Sequence, residues 1–156
     1  MLSLTDSEEA NIIETGTNGA GGAWDFHTGL IDGEGLAGTG SDVGGKVKCG
    51  VSSKGSKPRA FFYMKLAKPS TVMKIQLAFR TDAAPDQGKN VRIQVGTSPQ
   101  YNANDPVCTE IAQLSGTGLV DYYCNQFHEG QYVIISNDQS YLTICEAKVF
   151  VIDAGK

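Results

Sequence analysis

The chain has 156 residues, enough for one domain with its own core and short of two. Apolar residues make up 40% and charged residues 19%, which excludes a disordered polymer and a charge-laced helical bundle. Thirteen Lys and Arg against seventeen Asp and Glu leave a net charge of −4, so the balance argues against a nucleic-acid partner. Residues 1–9 have neither a basic n-region nor an apolar h-region and do not read as a signal peptide. No apolar run approaches the roughly 18 residues that a membrane-spanning helix needs. Residues 8–15 are the one modest helix candidate, and 1–15 read as an N-terminal extension of a single domain over 1–156. Eleven of the nineteen glycines lie between Gly16 and Gly45, which predicts a long Gly-rich N-terminal loop region. Trp24, Phe26 and Leu30 set that loop apart from a linker.

From Ala60 onward the pattern has period two. Strands are predicted at 60–67, 72–79, 91–95, 119–124, 131–136 and 141–151. In 72–79, Met73, Ile75, Leu77 and Phe79 share a face, with Lys74 and Gln76 opposite. Pro58, Pro69, Pro85, Pro99 and Pro106 fall between these runs as turn punctuation. Asn137-Asp138-Gln139-Ser140 reads as a hairpin connection. The whole predicts an all-β sandwich.

The chemistry is sparse. Cys49, Cys108, Cys124 and Cys145 are far apart, with no C-x-x-C pair and only His27 and His128 as imidazoles, so zinc does not fit. Two disulfides are the better reading, with three connectivities open. No nucleophile elbow, H-E-x-x-H or phosphate loop is present, and no catalysis is expected. Asp32-Gly33-Glu34 puts hard oxygen donors on a turn, which suits Ca²⁺. Arg80 and Asp82 end a strand, and Lys89 adds a second cation. Such a trio can hydrogen-bond a polyol while the carboxylate holds the guanidinium.

Four stretches together resemble the F-type lectin (fucolectin) family, a branch of the galactose-binding-like, discoidin-type domains. They are Gly29-Leu30-Ile31-Asp32-Gly33-Glu34; Phe79-Arg80-Thr81-Asp82 followed by Lys89-Asn90-Val91-Arg92-Ile93-Gln94-Val95-Gly96; Asp105-Pro106-Val107-Cys108; and Gly130-Gln131-Tyr132-Val133-Ile134-Ile135 followed by Leu142-Thr143-Ile144-Cys145-Glu146-Ala147-Lys148-Val149. The resemblance implies an eight-stranded β-sandwich jelly roll with disulfides Cys49–Cys145 and Cys108–Cys124. It also implies a structural Ca²⁺, with carboxylates from Asp32 and Glu146 and carbonyls from Gly29, Glu34, Lys48 and Cys145. The implied sugar-binding residues are Arg80 and Asp82, with Lys89 near the second cation's place.

The chain departs from the family's sugar site. Val51 stands where the family has His, Gln87 stands where it has its second cation, and Ala83-Ala84 replace a vicinal cysteine pair. Two lost charged donors at about 1.5–3 kcal/mol each take a micromolar site beyond millimolar. The expected function is therefore a calcium-stabilised, carbohydrate-binding module of altered specificity, extracellular or secreted, with a glycan or glycoprotein as partner. Trp24 or Tyr101 would be the stacking surface. The alternative is a degenerate lectin fold used for protein recognition, adhesion or assembly. A membrane surface is the weaker reading, since Lys46, Lys48, Lys54, Lys57 and Arg59 are its only support.

Overall fold

The computed structural model describes residues 7–17, 42–43, 46–47, 49–79, 85–115 and 118–152. These contain the strands β1 (Glu8–Glu9), β2 (Ile12–Thr17), β3 (Asp42–Val43), β4 (Lys46–Val47), β5 (Gly50–Ser53), β6 (Ala60–Ala78), β7 (Lys89–Gly96), β8 (Val107–Gln113), β9 (Val120–Asn137), β10 (Tyr141–Ile144) and β11 (Glu146–Ile152). One 3-10 turn, Pro85–Gly88, precedes β7. The fold is the all-β sandwich that the period-two pattern predicts. No described helix is long and apolar enough to cross a membrane.

A seven-stranded antiparallel sheet runs β1-β11-β6-β9-β7-β8, with β2 also on β6. Its spine is the long β6–β9 pair, in register from Ala60↔Asn137 to Leu77↔Val120. The predicted strands 60–67 and 72–79 are one strand, as are 119–124 and 131–136. Pro69 lies inside β6 rather than between strands. It has no N–H to give the ladder, and the register breaks there, between Lys65↔Tyr132 and Ser70↔Gly130. The Gln131 side-chain amide donates to the Leu66 carbonyl at 3.0 Å across the break. Gly130 must be glycine, because a Cβ there would lie 2.8 Å from the Gly96 carbonyl oxygen of β7.

Inward-facing residues of both spine halves meet in one apolar core. Phe62, Met64 and Leu66 come from the first half of β6, and Ile75 and Leu77 from the second. Val91, Ile93 and Val95 join from β7, Val133 and Ile135 from β9, and Val149 from β11. The β5–β10 pair forms a second, two-stranded sheet and adds Leu142 and Ile144. Burial of such side chains stabilises by about 1.5–3 kcal/mol each before entropy is counted.

Several expectations need correction. Residues 8–15 are not a helix. Strands β1 and β2 pair with β11 and β6, and Gly16 in β2 lies against the Tyr63 ring, so this backbone gains ladder partners that an isolated turn of helix would lack. The segment 137–140 is not a hairpin connection. β9 ends in the large sheet, while β10 pairs with β5, Tyr141 opposite Ser53. The Asn137 amide fixes this corner by donating to the Tyr141 and Gln87 carbonyls at 2.9 and 3.3 Å. The predicted strand 141–151 breaks at Cys145, whose N–H turns to the Ala78 carbonyl at 2.7 Å, so its two parts join different sheets. Strand β8 was hidden by its weak alternation. Within the Gly-rich stretch, Gly16 and Thr17 end β2, and β3 pairs with β4; Trp24, Phe26 and Leu30 lie outside the described residues.

Candidate functional site

One end of the sandwich collects residues that the sequence scatters. Cys49, just before β5, is bonded to Cys145, between β10 and β11. Cys108 of β8 is bonded to Cys124 of β9. Gly88 of the 3-10 turn presses on Phe79 at the end of β6. A Cβ there would lie 2.8 Å from the ring and 3.0 Å from Leu114, and the Gly88 carbonyl accepts the Leu114 N–H at 2.8 Å. Phe79 and Gly88 are thus held against each other, next to Ala78, whose carbonyl accepts the Cys145 N–H.

Of the sugar-site residues expected from sequence, Lys89 is described. It is exposed at the start of β7, opposite Gln113. Arg80 and Asp82 lie outside the described residues. Val51 is 6% exposed and faces the interior opposite Thr143, so it offers no donor. Gln87 is turned into the scaffold: its side-chain oxygen accepts the Thr143 hydroxyl at 2.5 Å. Of the expected calcium ligands, Cys145 and Glu146 are described, while Gly29, Asp32, Glu34 and Lys48 are not. Glu146 opens β11 opposite Ala78 and is 3% exposed. A carboxylate oxygen is of the donor type that a hard cation takes. Among the described residues alone, no group of three or more acidic, His or Cys side chains forms a metal cluster.

A second feature was missed by the sequence reading. Beside this end, a groove of about 440 Å³ opens along β7 and β8, lined by Arg59, Asn90, Arg92, Glu110, Ala112 and Asp138. Arg59 enters from the segment before β6. Its Nε donates to Ser136 Oγ at 2.8 Å and its Nη2 to the Asn90 carbonyl at 3.2 Å. Its guanidinium lies 5.8 Å from the centre of the Tyr101 ring, within cation–π range. Arg92 Nη1 donates to the Tyr101 hydroxyl at 3.3 Å, and its Nη2 is 3.8 Å from Glu110. Burial, and then the like charge of Arg92, push the Arg59 pKa below its ordinary value. Asn90 holds the left-handed backbone at φ 55°, a conformation Asn tolerates better than most residues, and its amide faces the Asp138 carboxylate at 3.4 Å. Hydrogen bonds from Gln139 first, and from Asn90, keep that carboxyl below its usual range. Tyr101, one of the two stacking candidates with Trp24, packs on Arg59 and on Phe61, its ring centre 6.3 Å from the latter.

No known family's sequence profile matches this chain, and no curated protein does. Solved structures do match. A fucolectin from the serum of Morone saxatilis (striped bass) superposes with a TM-score of 0.65 at 19% identity, over 96% of this chain and 46% of that one. This chain therefore spans about half of that fucolectin chain. The lectin domain of lectinolysin, complexed with Lewis B antigen, gives 0.65 at 16% identity, over 88% and 92%. The CBM32 of AlyQ, in complex with 4,5-unsaturated mannuronic acid, gives 0.61 at 15%, over 92% and 98%. The chain shares the fold of F-type lectins and CBM32 modules.

Proposed function

We propose that this chain is a non-catalytic carbohydrate-binding module that works outside the cell, with Arg80, Asp82 and Lys89 at its sugar site. The observation that carries the reading is the end of the sandwich tied by Cys49–Cys145. There the segment leading to Arg80 and Asp82 leaves β6 beside a buried carboxylate, on a fold shared with a fucolectin and a Lewis B-binding lectin domain. Two disulfides fit an oxidising compartment. The specificity differs from fucose recognition, because Val51 is interior and Gln87 is engaged by Thr143. A structural Ca²⁺ belongs to the proposal. Glu146 would give a carboxylate and Cys145 a carbonyl, with Asp32, Gly29, Glu34 and Lys48 completing the shell; the ion would supply order to the loops.

A broad glycan array in Ca²⁺, run beside Arg80→Ala, tests the site. Binding to one glycan class that vanishes in the variant is the expected result. EDTA should lower Tm with both disulfides intact; an unchanged Tm removes calcium from the proposal. The second reading is a protein-recognition module that has kept the scaffold. It is favoured by the same fact, that two family donor positions serve the interior. Silence of a folded, multivalent protein on the array would select it.

A further inference from the structure

We propose that Gln87 and Gln113 are positioning residues of the sugar site. They hold the turn Pro85–Gly88 as a fixed seat, and so fix where the chain that carries Arg80 and Asp82 rejoins the sheet and where Lys89 starts β7. The role in sugar binding rests on the function proposed above; the grip on the turn stands without it.

The turn is held from three strands. At the end of β8, the Gln113 side-chain amide donates to the Pro85 carbonyl at 2.8 Å, and the next residue, Leu114, gives its N–H to the Gly88 carbonyl at 2.8 Å. At the end of β9, the Asn137 amide donates to the Gln87 carbonyl at 3.3 Å. From β10, the Thr143 hydroxyl donates to Gln87 Oε1 at 2.5 Å. Gly88 is buried and leaves no room for a Cβ against the Phe79 ring. Phe79 and Gly88 therefore close the base of the segment between them, and the bonds from Gln113, Asn137 and Thr143 set its returning arm.

Gln113 shows that the grip concerns geometry more than stability. It is exposed, and it lies opposite Lys89 in the β7–β8 ladder. One residue thus pairs with Lys89 through its backbone and holds Pro85 through its side chain, so it spans both ends of the turn. Water can serve an exposed carbonyl nearly as well as a glutamine amide, so this bond adds little to the stability of the fold. What it removes is freedom of the turn. A saccharide site works through a few polar groups at set separations, and freedom removed before binding is not lost on binding. Thr143 acts from the inside in the same sense. It is 1% exposed, and its hydroxyl fixes the Gln87 side chain to β10.

The test uses the whole chain and two readouts. Hydrogen exchange of the Leu114 N–H, whose bond to Gly88 closes the seat, reports the turn. Surface plasmon resonance against polyacrylamide conjugates of α-L-fucose, β-D-galactose and α-D-mannose reports the sugar site. Gln113→Met keeps the length of the side chain and loses the donor. Thr143→Val keeps the shape and loses the hydroxyl, and Thr143→Ser restores it. Gln113→Met and Thr143→Val should each speed the Leu114 exchange about fivefold or more. Each should also weaken the conjugate that the wild type binds by about three- to tenfold. Gln113→Met should do so with Tm within about 3 °C of wild type, and Thr143→Ser should return both readouts to within about twofold. Unchanged exchange in Gln113→Met and Thr143→Val overturns the grip. Faster exchange with unchanged affinity overturns the positioning role and leaves the function standing. Silence of the wild type on all three conjugates overturns the function proposed above and this role with it, while the exchange still reports whether the glutamines hold the turn.

Discussion

The two halves of the β6–β9 spine have the same inner face and opposite outer faces. Over the first half, the segment 97–106 lies across the sheet. Gln94 of β7, fully buried, donates through its amide to the Asn102 and Asp105 carbonyls at 2.9 and 3.1 Å, and Tyr101 packs on Phe61. Over the second half no such cover is present among the described residues. Tyr123 is 43% exposed, and Lys74 Nζ sits 4.6 Å from the Phe150 ring centre and 5.5 Å from that of Tyr123. Both halves thus place a cation on an aromatic ring. The open half balances it: Lys74 is 3.3 Å from Asp121, whose other oxygen accepts the Gln76 amide at 2.7 Å. The covered half sets Arg59 and Arg92 beside Glu110 and Asp138, with Arg92 Nη2 3.8 Å from Glu110. The covered half holds its cations through partly buried hydrogen bonds to Ser136 and Tyr101, whereas the open face with a matched pair makes a solvated surface.

The comparison can be broken in descending order of effect. Phe61→Ala removes a ring that is 4% exposed under the cover and should cost about 3 kcal/mol, while Phe150→Ala on the open half should cost only about 1–2 kcal/mol. Urea denaturation of the two variants checks the ratio, and equal losses would refute the asymmetry. Gln94→Ala removes the amide that ties β7 to the Asn102 and Asp105 carbonyls and should cost about 1–2 kcal/mol. Enhanced proteolysis within 97–106 is the accompanying expectation. Lys74→Ala should change stability by less than about 1 kcal/mol, as exposed ion pairs and cation–π contacts do.

The smallest effect is in the acid limb. The Gln76 amide, and then Lys74, hold the Asp121 carboxyl below its ordinary range. A depressed acid stabilises the fold above its unfolded pKa of about 3.9, and loses that contribution as pH falls through its folded value. The stability gap between wild type and Asp121→Asn should be largest near neutral pH and close below about pH 4. Because Asp121 is well exposed, the gap should stay below about 1 kcal/mol.

Alternation carried much of the fold in plain view. Residues 72–79 and 91–95 announce strands because one face must be apolar wherever a sheet covers a core, and the structure buries those faces. The cysteines announce an oxidised scaffold, and the structure joins them as Cys49–Cys145 and Cys108–Cys124. Residues 8–15 were misread because their few apolar positions fit a helical face as well as a strand, and only pairing with β6 and β11 decides between them. The groove was not legible at all. Arg59, Arg92, Glu110 and Asp138 come from four separate segments, and single charges in polar stretches carry no signal of their own. Register places Arg92 opposite Ser136 on one side and Glu110 on the other, and the arrival of Arg59 at Ser136 then sets two cations side by side. Local pattern determines which way a side chain faces; which charges meet there depends on pairing between distant segments, and that is settled only when the core closes.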